Sequence, residues 1–174
     1  MSNHRFPVLL DGPHNRVDDP RELLVGYLDW YRDALARKTT GLDEAALRVP
    51  VAGLDWSPLG LVQHLGWVER RWIRWGFAAE PVAPCPPGDE DAEWRIDGRS
   101  AEEVWQAYRA EVAQTRRIIE GVPLTQAARL GGRFSSATHA PSLGRILFHL
   151  FQEYARHIGQ LDVARQLIDG TTGE

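Results

Sequence analysis

The sequence predicts an all-α domain built as a four-helix bundle with long interhelical loops. Three observations predict it. Four segments repeat apolar residues at spacings of three and four, the period of a helix face. Each opens on a residue suited to capping a helix N-terminus. No stretch alternates apolar and polar residues convincingly with the period of two that marks a strand.

The first helix opens at Asp19-Pro20, a capping carboxylate followed by proline at the first helical position. Leu23, Leu24, Tyr27, Leu28, Tyr31 and Leu35 form its apolar face, and Gly41 follows its end. The second opens in the same way at Ser57-Pro58. It sets Leu61, His64, Leu65, Val68, Trp72 and Trp75 on one stripe, with Glu69, Arg70, Arg71 and Arg74 largely on the other. A connection from Glu80 to Arg99 follows, holding Pro81, Pro84, Pro86 and Pro87, and it reads as a long loop. The third helix starts at Ser100, where Ser100 and Glu103 make a capping box, and buries Val104, Trp105, Tyr108, Val112, Thr115 and Ile119. A second loop from Gly121 to Pro141 contains Gly131-Gly132 and the run Ser135 to His139. The fourth helix begins at Ser142 and ends at Gly170, with Leu143, Ile146, Leu147, Leu150, Tyr154, Ile158, Leu161 and Leu167 inward.

With 174 residues the chain is most simply one domain, residues 1–174, with 1–18 as an N-terminal extension. Its 43% hydrophobic and 25% charged residues are those of a globular protein. The net charge of −4 offers no basic field for nucleic acid. No apolar run reaches the roughly 20 residues of a membrane span. The N-terminus lacks the apolar region of a signal peptide, and the one cysteine, Cys85, has no partner, so a reducing cytoplasm is the expected location. Seven tryptophans read as core and interface packing, or as an aromatic wall around a pocket.

The chemistry-bearing residues gather on two helices. His149, Glu153 and His157 follow one another at i, i+4 steps on the fourth helix, each step about 6 Å along the axis. His149 and His157 are therefore about 12 Å apart along the axis, too far to share one ion easily. Glu153 pairs with one or the other and is the central residue either way. His64 on the second helix points toward the interior and is the natural third ligand, since bundle cores build metal sites from facing helices. The alternative for His64 and His157 is a role as core histidines bonded to backbone or to Glu153. His4, His14 and His139 fall in the tail and in a loop.

The stretch SLGRILFHLFQEYARHIGQLDVARQLIDGTTG, Ser142 to Gly173, strongly resembles the C-terminal helix of the DinB-like metalloproteins. The nearest branch is that long labelled DUF664, related to mycothiol-dependent transferases and maleylpyruvate isomerase. SPLGLVQHLGWVERRW, Ser57 to Trp72, and Trp94 to Gly98 fit the same branch, so the likeness runs from about Asp19 to Gly173. The resemblance implies a DinB-like bundle holding a divalent metal, most simply Zn²⁺ with Ni²⁺ or Fe²⁺ as alternatives, through His64, Glu153 and His157. It leaves His149 as a pocket residue, and His149, Arg145, Trp67 and Tyr154 are the expected substrate-binding set. Arg156 joins Arg145 as a candidate for an anionic group. Gln160 departs from the family, where close relatives often have His, and Gly144-Arg145 replaces a bulkier pair. The extra domain of the isomerase is missing, so isomerase activity is not expected.

Three protein ligands leave an open position on Zn²⁺, where a low-molecular-weight thiol would lose its proton on coordination. The expected function is therefore a metal-dependent S-transferase joining a small-molecule thiol, by resemblance mycothiol, to a small electrophile. The catalytic nucleophile is then the bound thiol, or water in a hydrolase of the same fold, and no protein nucleophile is named. Two further alternatives are non-haem iron chemistry and a non-catalytic, metal-stabilised bundle that binds a small molecule. The resemblance also implies a homodimer, while the charge and the lack of a long apolar run lead us to expect neither nucleic acid nor membrane as partner.

Overall fold

The computed structural model describes residues 12–172 except 52, 90 and 97. Residues 1–11 of the expected extension, with His4, and Asp97 lie outside the described residues. All four expected helices form: α1 (Pro20–Thr39), α3 (Pro58–Glu69), α4 (Ala101–Ile119) and α5 (Leu143–Asp169). A short helix, α2 (Glu44–Arg48), comes between the first two and was not expected. No helix among the described residues is long and apolar enough to cross a membrane, and their one β-feature is an isolated bridge between Ala127 and Ser142.

The caps act where the residue types place them. The Asp19 side chain accepts from the backbone N–H groups of Arg21 and Glu22. Ser57 and Ser142 accept from Gly60 and Arg145. Ser100 and Glu103 complete a reciprocal capping box. Each satisfies donors the first turn would otherwise leave bare. At the far end of α5, Gly170 adopts φ 75°, a left-handed conformation that glycine takes without cost.

α3 is the central helix. It packs on α4 and α5, while α1 packs on α5. Every residue from Pro58 to Gly66 is buried, because the Glu80–Arg99 loop covers the side the other helices leave open. The apolar core joins Leu28 and Leu35 of α1, Leu61 and Leu65 of α3, Val104 of α4, and Leu147, Leu150 and Leu161 of α5. The tryptophans depart from the core reading, since all seven are only partly buried, with Trp56, Trp72, Trp94 and Trp105 packed against the margin of that core. Leu167, expected inward, is exposed.

The second helix also departs from its expected winding. Beyond Glu69 it continues as a π-helix, Arg70–Phe77, wound by i→i+5 bonds such as Ala78 N–H to the Ile73 carbonyl at 2.8 Å. Glu69, expected on the polar face, is fully buried. Its carboxylate accepts from Arg32 of α1 (3.0 and 2.6 Å), Thr115 of α4 (2.6 Å) and Tyr154 of α5 (2.8 Å). Tyr108 closes the network against the Tyr154 hydroxyl at 2.9 Å. One carboxylate on α3 thereby ties α1, α4 and α5 together, and this fixes the rotation of α3 against α5.

Candidate metal centre

That fixed rotation turns His64 toward α5. Its Nε2 lies 3.2 Å from Nε2 of His157. Glu153, one turn before His157, places Oε2 3.3 Å from the same His157 nitrogen. One ligand atom from each of the three residues falls within 4.8 Å of the others, a group that could hold a metal ion. Both imidazoles are buried and the carboxylate is partly so.

The outer ring nitrogens explain why the inner ones converge. His157 Nδ1 lies 2.8 Å from Oε1 of Gln160. An amide oxygen only accepts, so Nδ1 carries the hydrogen and Nε2 presents a lone pair. His64 Nδ1 lies 3.1 Å from Oε1 of Glu93. The carboxylate sits off the N–H direction, and the nitrogen makes no proper hydrogen bond despite its burial. A carboxylate at that distance still favours the hydrogen on Nδ1, leaving Nε2 bare as well. Two bare imidazole nitrogens 3.2 Å apart beside a carboxylate repel one another unless a cation or proton lies between them. Two nitrogens and an oxygen are a donor set that divalent zinc accepts, so the residues present fit a metal.

Charge follows the same logic. Burial pushes the His64 imidazole below its ordinary value, against the opposing pull of Glu93, and so favours the neutral, ligating form. The adjacent His157 imidazole, with His149 and His64 beside it, holds the Glu153 carboxyl below the usual range in spite of partial burial. Burial would raise Glu93, but His64 and the Arg71 guanidinium, 3.1 Å away, bring it below the ordinary value instead.

Two loops wall the group. In the first, Gln63 of α3 donates its side-chain amide to the carbonyls of Glu93 (3.1 Å) and Arg95 (2.8 Å). This holds Trp94 stacked on His64, ring centroids 3.9 Å apart. Gly60 permits the approach, since a Cβ there would run into the Trp94 carbonyl. In the second loop, Arg133 lays its guanidinium on Trp72 at 4.2 Å, and Trp72 packs against His149 at 4.1 Å.

The substrate-binding set divides. His149 contacts Glu153 Oε1 at 3.1 Å, and both His149 and Arg145 line a cleft of about 440 Å³ beside the group. Trp67 faces elsewhere, lining a groove between α3 and α4 with Arg70 over its ring. Tyr154 offers nothing to a ligand, because it is wholly buried and its hydroxyl is bonded to Glu69 and Tyr108. Sequence reasoning missed Glu93, Trp94, Trp72 and Arg133 as neighbours of the histidines, and noted Gln160 only as a departure. The one signal for Gln160 was its i+3 spacing from His157.

A helical bundle with two histidines and a glutamate converging from its second and fourth long helices defines a DinB-like protein. The chain belongs to the mycothiol-S-transferase family, whose pattern matches residues 23–170. A solved structure, described as the conserved protein of locus from Enterococcus faecalis, aligns over 86% of this chain and 97% of its own. Its TM-score is 0.61 at 15% identity, a likeness of fold alone. No curated protein matches the chain.

Proposed function

We propose that the protein is a metal-dependent S-transferase in which His64, Glu153 and His157 hold a divalent ion, most simply Zn²⁺. The observation that carries this reading is the 3.2 Å approach of two imidazole nitrogens beside Glu153, in a chain of the mycothiol-S-transferase family. An ion held there lowers the pKa of a coordinating thiol and so supplies thiolate at neutral pH. The protein's own part is to arrange the rest. Gln160 and Glu93 fix which nitrogen of each histidine faces inward. Trp94 covers His64 and excludes water from that side. His149 and Trp72 form the wall beside Glu153 against which an electrophile would rest, and Glu153 is held as carboxylate by His149 and His157. The thiol by this reading is mycothiol.

Elemental analysis of the purified protein, followed by mass-spectrometric detection of the conjugate of mycothiol with a haloalkyl electrophile, tests the reading. Transfer should require one equivalent of metal and should fall away with glutathione or cysteine as the thiol. Full metal occupancy with no conjugate, or undiminished transfer by the His64→Ala/Glu153→Ala/His157→Ala protein, overturns it. We also propose a homodimer, supported by the exposed aromatic strip of Tyr27 and Phe148 beside Phe151; light scattering checks it.

A further inference from the structure

The cleft beside His149 carries an imbalance of charge. The buried Arg32 and the half-buried Arg70, Arg71 and Arg74 are matched with carboxylates: Arg32 with Glu69 and Asp29, Arg71 with Glu93, and Arg70 and Arg74 with Glu111. Arg145, which lines the cleft, has no carboxylate partner among the described residues, and neither has Arg133, which lies on the cleft's Trp72 wall. Arg156, one turn after the cleft residue Gln152 on α5, likewise has no carboxylate partner among the described residues. No carboxylate lines the cleft among the described residues, and Glu153, which touches its His149, is already shared between His149 and His157.

Arg133 is also held in place. Its N–H donates to the Trp75 carbonyl at 3.3 Å, and Gly132 lies so close to that carbonyl that a Cβ could not fit. Its guanidinium spans Trp72 and Trp75, with burial and Arg71 both working against its charge. A guanidinium laid on an aromatic ring beside another cation, with no carboxylate of its own among the described residues, is a ready partner for an anion brought by a ligand. The aromatic ring beneath it favours a flat body next to that anion.

We propose that the cleft binds a carboxylate carried by the electrophilic co-substrate, with Arg133 and Arg145 as its partners and Trp72 as the wall for a planar body. This rests on the S-transferase reading above. With a benzylic halide as electrophile, the thiolate sulfur forms an S–C bond while the carbon–halogen bond breaks, and halide leaves with the electron pair. The arginines hold the carboxylate and take no part in those bond changes, so they set specificity.

Benzoate and benzamide, which undergo no transfer, serve as binding probes in calorimetric titrations of the full chain, metal-loaded and chelator-stripped. Benzoate should bind both forms and benzamide neither. Arg133→Gln and Arg145→Gln should each weaken benzoate about tenfold or more, with metal content and melting curve unchanged. Should Arg133→Gln fail to fold, Arg145→Gln carries the test, since Arg145 is exposed. Equal binding of the two probes means that stacking alone is at work and overturns the proposal. So does benzoate binding that vanishes on chelation and ignores both substitutions, because the carboxylate then sits on the metal. In the transfer reaction, 4-(bromomethyl)benzoate should be preferred over 4-(bromomethyl)benzamide, and the preference should collapse in the double variant. An absence of any transfer sinks the S-transferase reading, whereas the benzoate titrations judge the cleft by themselves.

Discussion

Helices α3 and α5 carry two buried polar clusters within about two turns of one another, and they are built on opposite terms. Around Glu69, every strong donor and acceptor finds its match inside the protein. Arg32, Thr115 and Tyr154 all donate to the one carboxylate, and Tyr108 satisfies Tyr154. Around His64, five residues earlier on α3, the inner nitrogens face each other without a match, and Nδ1 has only an ill-directed carboxylate. Burying polar groups is tolerable when they are paired and costly when they are not. The first cluster therefore belongs to the fold, and the second is what a fold keeps when something from outside completes it. The stable cluster also serves the unstable one, since it sets the rotation that brings His64 to face Glu153 and His157.

The largest effect should come from removing the matched carboxylate. Glu69→Ala takes from Arg32 its buried partner and leaves it only the partly exposed Asp29, and breaking a buried pair in this way typically costs about 3–5 kcal/mol. Urea denaturation should show this loss. The metal-free His64→Ala, Glu153→Ala and His157→Ala proteins should lose far less stability, or gain it, while metal occupancy falls from one equivalent toward none. If an alanine at His64 destabilises the metal-free protein as much as Glu69→Ala does, the contrast between the clusters is wrong.

How much of this contrast is legible in the sequence depends on what carries each residue. Capping residues and helical spacing foretell α1, α3, α4 and α5, and the i, i+4 step foretells Glu153 with His157. The partners of the histidines from the first loop are not legible, because Glu93 and Trp94 sit on a segment with no periodicity, placed by Gln63 bonds and by the absence of a side chain at Gly60. Glu69 misleads for another reason. It stands where the α-helix gives way to the π-helix, beside a run of arginines that reads as solvated. Its burial is decided by Arg32, Thr115 and Tyr154, which are distant in sequence. Tyr154 was legible as inward-facing, but a buried tyrosine beside a ligand reads equally as pocket or as core, and the hydroxyl's partners decide for core.

The supports of the second cluster should give intermediate effects. Gly60→Ala drives a methyl group into the Trp94 carbonyl, so the loop must lift and Trp94 must leave its stack on His64. Overpacking of this kind costs of order 1–3 kcal/mol. The loss should appear in urea denaturation together with weaker metal binding, whereas Gly159→Ala, on α5 with open space around it, should leave metal binding intact. Gln160→Leu removes the acceptor at His157 Nδ1 and should weaken metal affinity by about 10- to 100-fold in competition with a chromogenic chelator. Gln160→Glu, which still accepts, should hold most of it. Equal affinities in the two Gln160 variants would mean that the tautomer of His157 is set by something else.

The smallest effect is the pH dependence of the metal-free protein, and its sign follows from burial. His64 and His149 both titrate below their ordinary value of 6.5, chiefly because burial disfavours the charged ring. The unfolded chain then takes up protons first as acid is added, so stability is full above about pH 6.5 and falls as pH drops toward the lower folded values. Glu153 acts later, because its depressed value stabilises the fold above about pH 4.5, and this contribution is lost below it. Urea midpoints between pH 8 and pH 5 should therefore decline in the wild type and decline less in His64→Leu, which has no ring to protonate. Tyr154→Phe, which trims the matched cluster, should lower the whole curve and leave its slope alone. A Tyr154→Phe curve that is flat while His64→Leu keeps the wild-type slope would transfer the acid sensitivity to the Glu69 cluster and reverse the roles of the two sites.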